Sequence, residues 1–268
     1  MKYRKGLFLL LITLLIAAVF VAACGGGEAP IEEAAAPAEE AAAPAEEAEA
    51  PAEEEAAPAE EEAAQNVFIY AHPTSFPDLN PASSNSNDSM ILANCYETLT
   101  FYNPPGSAEI LSPKLATSWE TNEDNTEWTF TLREGITFQD GEPFNAEAVK
   151  AAVESTMELG AGASYIWAPV DSIEVVDEYT VKFNLLWPAP LDLIASATYA
   201  AWIYSPAVDV EGDHEWFNEG NCAGTGPYTI DNYERGARIV MNRNEDYWGG
   251  WSDGKFDTAV FQIVEDPV

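Results

Sequence analysis

From residue 25 to residue 65 the chain has no means of building a core. Gly25-Gly26-Gly27 leads into repeats of Ala-Pro-Ala-Glu-Glu, as at Ala36-Pro37-Ala38-Glu39-Glu40 and Ala43-Pro44-Ala45-Glu46-Glu47. After Ile31 the tract offers no large apolar side chain, it carries Glu without Lys or Arg, and its prolines interrupt any helix that Ala and Glu would favour. Charge repulsion and proline stiffness predict an extended, disordered linker. Whatever folds must lie beyond it, where about 200 residues rich in Trp, Tyr and Phe remain, enough for one large or two small domains.

The segment before the tract reads as an export signal. Lys2, Arg4 and Lys5 form a positive start, Gly6 to Ala18 form an apolar run, and Val21-Ala22-Ala23-Cys24 is a small-residue exit that resembles the lipobox of bacterial lipoproteins. On that reading residues 1–23 are removed and the Cys24 thiol carries lipid, which makes a stable anchor when several acyl chains share one residue. The apolar run is short for a bilayer span of roughly 20 residues, which argues against an uncleaved transmembrane helix. The linker, residues 24–65, would then hold the folded part away from the membrane.

Charge narrows the partners. The chain has 11 Lys and Arg against 46 Asp and Glu, and only eight of the basic residues lie beyond the linker. Nucleic acid and anionic lipid surfaces are thereby disfavoured as partners. With Cys24 assigned to lipid, Cys95 and Cys222 are left, and an exported location permits a disulfide between them; free buried thiols are the alternative. His72 and His214 are the sole histidines, too few and too scattered for a metal or redox site, so no cofactor is expected.

Hydrophobic periodicity outlines the elements. A strand is predicted over Val67 to Ala71, followed by a polar loop to Ser89 and a helix from Met90 to about Leu99 with Ser89 or Asp88 as its cap. Trp128-Thr129-Phe130-Thr131-Leu132-Arg133 alternates apolar and polar residues and is the clearest strand. Asp140-Gly141 marks a turn, and Asn145 caps a helix with Val149, Ala152, Val153 and Met157 along one face. Ser172–Val176 and Tyr179–Leu185 read as a hairpin turning at Asp177-Glu178. Further strands fit Gly226–Ile230, Ala237–Asn242 and Thr258–Val264. Strands and helices are mixed without a βαβ series, which predicts an α/β or α+β protein with mixed sheets.

Two blocks add a family resemblance. Leu111-Ser112-Pro113-Lys114-Leu115-Ala116-Thr117-Ser118-Trp119-Glu120 leads into the strand at Trp128, then Arg133-Glu134-Gly135, Phe138-Gln139-Asp140-Gly141 and the helix capped by Asn145. A second block is Gly224-Thr225-Gly226-Pro227-Tyr228, Arg238 to Asn244 and Asp246-Tyr247-Trp248-Gly249-Gly250. Together these resemble the extracellular solute-binding proteins of family 5, the peptide-, dipeptide- and nickel-binding components of ABC transporters. Tyr96-Glu97-Thr98-Leu99 and Leu79-Asn80-Pro81 agree, whereas Gln139 and Ala148 depart from a frequent His and Asp. Most of these residues read as architectural: Gly135, Gly141 and Gly226 for turns or close approach, Trp119 and Trp128 for core, Arg133 for an internal ion pair or a backbone contact.

The resemblance implies a lobe of the periplasmic-binding-protein type II kind, with residues 66–110 and 221–268 forming lobe I around a smaller inserted domain over 111–220. A second lobe would begin just after Asp266-Pro267 and is missing. It also implies a ligand cleft between lobes, partnership with ABC permease subunits, and no enzymatic activity. By position, Ser83, Ser84, Asn85, Ser86, Tyr199 and Trp202 are the candidate ligand contacts. Peptide is the expected solute; nickel, oligosaccharide or another solute is the alternative, and a structural surface lipoprotein or truncated gene product the second. A serine or zinc hydrolase finds no support, since the chain lacks both a Gly-x-Ser-x-Gly elbow and a His-Glu-x-x-His helix, whereas the abundant acidic residues leave a carboxylate-pair glycosidase compatible with composition.

Overall fold

A computed structural model describes residues 66–208 and 215–264. Chain order gives β1 (Val67–His72), α1 (Ser89–Cys95), β2 (Thr100–Tyr102), β3 (Leu111–Pro113), β4 (Ala116–Thr121), β5 (Glu127–Leu132) and α2 (Ala146–Leu159). There follow β6 (Val170–Asp177), β7 (Thr180–Leu185), α3 (Leu191–Ile194), α4 (Glu215–Asn218), β8 (Tyr228–Glu234), β9 (Arg238–Arg243) and β10 (Thr258–Ile263). The export segment, Cys24, the linker, His214 and Asp266-Pro267 lie outside the described residues.

The middle of the chain makes one antiparallel sheet in the order β4-β5-β7-β6. Alternation places Trp128, Phe130 and Leu132 of β5 beside Val181 and Phe183 of β7 on the buried face. Their polar neighbours point the other way, where Lys182 pairs with Glu127 at 2.8 Å. Helix α2 covers the buried face with Val149, Ala152 and Val153. Asn145 starts it by accepting the Ala148 N–H at 3.0 Å, Glu147 sits in the first turn, and Gly160 ends it at φ 61°. Trp167 stacks on Phe183, with centroids 6.0 Å apart.

A second sheet runs β1-β10-β9-β8, with β1 parallel to β10 and the other pairs antiparallel. It joins the first strand of the described chain to the last one, across 191 residues at the Asn66 to Asp257 contact. Ile239, Met241 and Phe261 are buried on one face, where Phe76 meets Phe261 edge-on. The edge strand β1 leaves Val67, Phe68, Ile69 and Tyr70 exposed. A short ribbon of β2 and β3 completes the strands.

Two local expectations are corrected. Helix α1 stops at Cys95 rather than near Leu99: Tyr96 turns extended at ψ 159°, and Glu97 then bridges Ile203 as a strand would. Asp88 precedes the helix but its side chain makes no cap; the carboxylate accepts instead from the Asp78 N–H at 3.3 Å and the Ser84 hydroxyl at 3.4 Å. A loop contact thus outcompetes the helix end for the same oxygens.

Cys95 and Cys222 are joined in a disulfide across 127 residues. The bridge pins the end of α1 to the Gly224-Thr225-Gly226 segment. A Cβ on Gly224 would run into the Cys95 backbone and the Tyr96 ring, and one on Gly226 into the backbone of Asn94 and Cys95, so only glycine permits this approach. The Gly226 N–H donates to the Cys95 carbonyl at 2.9 Å.

Candidate functional site

The approach of these two segments delivers Glu97 to the centre of a polar cluster. Its carboxylate is buried, with 3 % of the residue exposed. One oxygen receives Lys114 Nζ at 2.7 Å and the Tyr247 hydroxyl at 2.8 Å; the other receives Trp248 Nε1 at 2.6 Å and the Thr225 hydroxyl at 2.8 Å. Four donors on one buried carboxylate satisfy what burial would otherwise make costly. Tyr247 is held above the ordinary phenol range, first by burial and then by the Glu97 charge, so it stays a neutral donor.

Two cations frame the cluster. Lys114 lies 5.6 Å from the Trp248 ring centre, and the Arg133 guanidinium lies 4.6 Å from it. Arg133 Nε also donates to the Lys114 carbonyl at 3.1 Å, which ties β5 to the turn carrying Lys114. Gln139 reaches from the turn after β5 to the Gly226 and Tyr228 carbonyls at 3.1 and 2.9 Å.

Beside this cluster lies a cavity of about 150 Å³, bordered by Ala93, Tyr96, Glu97, Phe101, Lys114 and Trp202 among others. Thr98, Tyr102, Ser196, Thr198 and Pro227 complete its wall. Phe101 and Tyr102 come from β2 and are half exposed, so the wall is aromatic on its open side. Trp202 is buried, and among the described residues its indole N–H, itself closed to solvent, has no partner. Burial holds the Tyr96 phenol far above its ordinary range; its oxygen accepts from the Ala223 N–H at 3.5 Å.

Of the six candidate contacts chosen by position, only Trp202 borders this cavity. Ser83 and Ser84 spend their hydroxyls on Asp78 at 2.7 Å and Asp88 at 3.4 Å, while Asn85 and Ser86 are exposed in the same loop. Tyr199 is exposed near Trp202. Lys114, Glu97 and Tyr96 appear in the sequence as parts of motifs, with nothing to show that they share a wall. The scarcity of cations beyond the linker was the available hint, since Lys114 and Arg133 are two of the eight.

Comparison with known proteins decides the class. The model of the bacterial extracellular solute-binding proteins, family 5 (middle part), matches residues 111–268. The chain belongs to that family. Among its relatives, the Probable D,D-dipeptide-binding periplasmic protein DdpA of Escherichia coli K12 is 34% identical over 177 residues, 64% of this chain and 34% of that protein. The Nickel-binding periplasmic protein of the same strain is 29% identical over 214 residues, 74% of this chain and 37% of that protein. Among solved structures, NikA from Brucella suis in complex with Fe(III)-EDTA matches with a TM-score of 0.64 and 28% identity, covering 75% of this chain and 40% of that one. The mixed α/β fold is therefore of the periplasmic-binding-protein type II kind. This family member spans about a third of the length of the curated relatives it matches.

Proposed function

We propose that the chain is the solute-capturing part of an ABC importer that takes up di- or oligopeptides and hands them to permease subunits. The observation that carries this reading is the family match, joined to relatives of which several are named for peptidic ligands: dipeptide, murein peptide, di/tripeptide and glutathione. The cavity beside Glu97 suits such a ligand. Its aromatic wall can take a side chain. A binding role rather than catalysis follows from the same kinship.

Export and anchoring belong to the same proposal. Residues 1–23 act as the signal, Cys24 carries the lipid, and residues 24–65 tether the folded part outside the cytoplasmic membrane. The relatives named periplasmic support an exported location. Residues 66–110 and 221–268 form one lobe around the inserted 111–220 part.

A nickel-binding relative favours metal as the second reading. A thermal-shift screen separates the two: di- and tripeptides should raise the melting temperature, whereas Ni²⁺ and oligosaccharides should leave it unchanged. A rise with nickel or an oligosaccharide alone would overturn the peptide assignment. Intact-mass analysis of the membrane fraction should show diacylated Cys24 as the first residue, and Cys24→Ala should release the protein from membranes.

A further inference from the structure

From Cys222 to Tyr228 the chain runs as a strap along the end of α1, and Pro227 is the residue by which it borders the cavity. Pro227 is half-buried, whereas Ala223, Gly224, Thr225 and Gly226 before it are buried. A proline ring has a fixed φ and no freely turning side chain. Where the ring stands is therefore set by the two peptide groups that flank it, whose oxygens belong to Gly226 and Pro227.

Both oxygens are held from distant turns. The Gly226 carbonyl accepts from Gln139 Nε2 at 3.1 Å and from Asn244 Nδ2 at 3.2 Å, so its two lone pairs meet two carboxamides. The Pro227 carbonyl accepts the Asn244 N–H at 2.8 Å. Gln139 also grips the strap on either side: its Nε2 donates to the Tyr228 carbonyl at 2.9 Å, and its N–H to the Gly224 carbonyl at 2.9 Å.

Gln139 holds this position at a cost. Its Oε1 is buried and, among the described residues, has no partner. Turning the amide over would set that oxygen against the Gly226 and Tyr228 carbonyls, so the side chain is fixed by its donors. Stability alone does not account for a glutamine here, because the orphan oxygen offsets part of what the two hydrogen bonds contribute.

We propose that Gln139 and Asn244 are positioning residues of the solute cavity: as a carboxamide pair on the Gly226 carbonyl they fix the Pro227 ring as a rigid part of its wall. Neither borders the cavity, and both act through Pro227. The inference rests on the solute-binding reading above and adds which residues outside the cavity set its affinity.

Calorimetric titration with L-alanyl-L-phenylalanine tests the clamp, on proteins whose near-UV circular dichroism shows them folded. Gln139→Met removes the side-chain donors and the orphan oxygen together. Asn244→Asp removes the amide donor but keeps the oxygen that accepts the Asp246 N–H. Each should weaken binding about threefold and the double variant about thirtyfold, beyond the roughly ninefold product, because either amide partly holds the carbonyl alone. Gln139→Met should leave the melting temperature nearly unchanged, whereas a merely structural glutamine would lose stability and keep its affinity. In a Pro227→Ala background the double substitution should have no further effect on binding. A double effect no larger than the product would overturn the clamp, as would an undiminished effect in the Pro227→Ala background. So would Pro227 ring-carbon resonances that stay in place when the ¹³C-labelled wild type is saturated, a readout that needs no variant to fold. If the dipeptide binds and these results go against the clamp, the solute-binding reading stands. If no di- or tripeptide binds the wild type, both fall.

Discussion

Lys114 Nζ lies 2.7 Å from Glu97 Oε1, and the two residues reach each other from opposite sides of the β2–β3 ribbon in the chain. The pair is asymmetric: the lysine keeps 28% of its side-chain exposure, whereas the glutamate keeps 2%. Water can therefore replace the partner of one and not of the other.

From this asymmetry, truncating the two partners should have unequal costs. Glu97→Ala strands four donors and is expected to cost about 3–5 kcal/mol. Lys114→Met leaves the carboxylate with Tyr247, Trp248 and Thr225, and should cost roughly 1–3 kcal/mol. Urea denaturation of both variants measures the difference; equal losses would show that the cluster is not centred on Glu97.

The disulfide closes a loop of 127 residues that includes the whole β4-β5-β7-β6 sheet. Reducing it, or replacing both cysteines by serine, should lower stability by about 2–4 kcal/mol. It should also loosen the contact between Cys95 and Gly226. Melting curves with and without a reductant provide the check, with the double serine variant insensitive to it.

Glycines at two positions serve different needs. Gly135 sits at φ 72° with open space around it, so Gly135→Ala should cost only the left-handed penalty, about 1–2 kcal/mol. Gly226 faces the backbone of Asn94 and Cys95, which cannot yield as a side chain would. Gly226→Ala should cost at least ~3 kcal/mol, at or beyond the upper end of ordinary overpacking, and pull Thr225 from Glu97. The ranking of their urea midpoints decides it.

Burial holds the Asp88 carboxyl above its ordinary value of 3.8, aided by the Asp78 charge and opposed by hydrogen bonds from the Asp78 N–H and the Ser84 hydroxyl. A raised folded value means that ionised Asp88 costs stability near neutral pH. That cost is relieved as the pH falls through the folded value, and wholly below 3.8, where the unfolded carboxyl is also protonated. Asp88→Asn should therefore match or exceed wild type in stability at pH 7 and lose that advantage on acidification. An advantage that grows toward acid would contradict the sign.

The β5 strand and the Asn145-capped α2 were legible because their causes are local. Trp128, Phe130 and Leu132 alternate at the period of a strand, and Asn145 lies one residue before a helical apolar stripe. The extent of α1 was not legible. Leu99 continues its helical spacing, but Glu97 gains four partners only if the chain extends after Cys95, and those partners lie at positions 114, 225, 247 and 248. Asp88 looked like a cap because cap chemistry is local; Asp78 and Ser84 took its oxygens from the preceding loop.

The sequence by itself determined the mixed α/β class and the family, since periodicity and ordered motifs are properties of neighbouring residues. It also supplied Trp202 as a candidate contact. Tertiary structure alone decided that Cys95 meets Cys222, that Ser83 and Ser84 turn to aspartates, and that Trp202 shares a cavity with Glu97 and Lys114. Each of the cavity and disulfide contacts spans a long stretch of chain, and sequence periodicity carries no information on which distant segments approach; that is set by which burial and hydrogen bonds can be satisfied together.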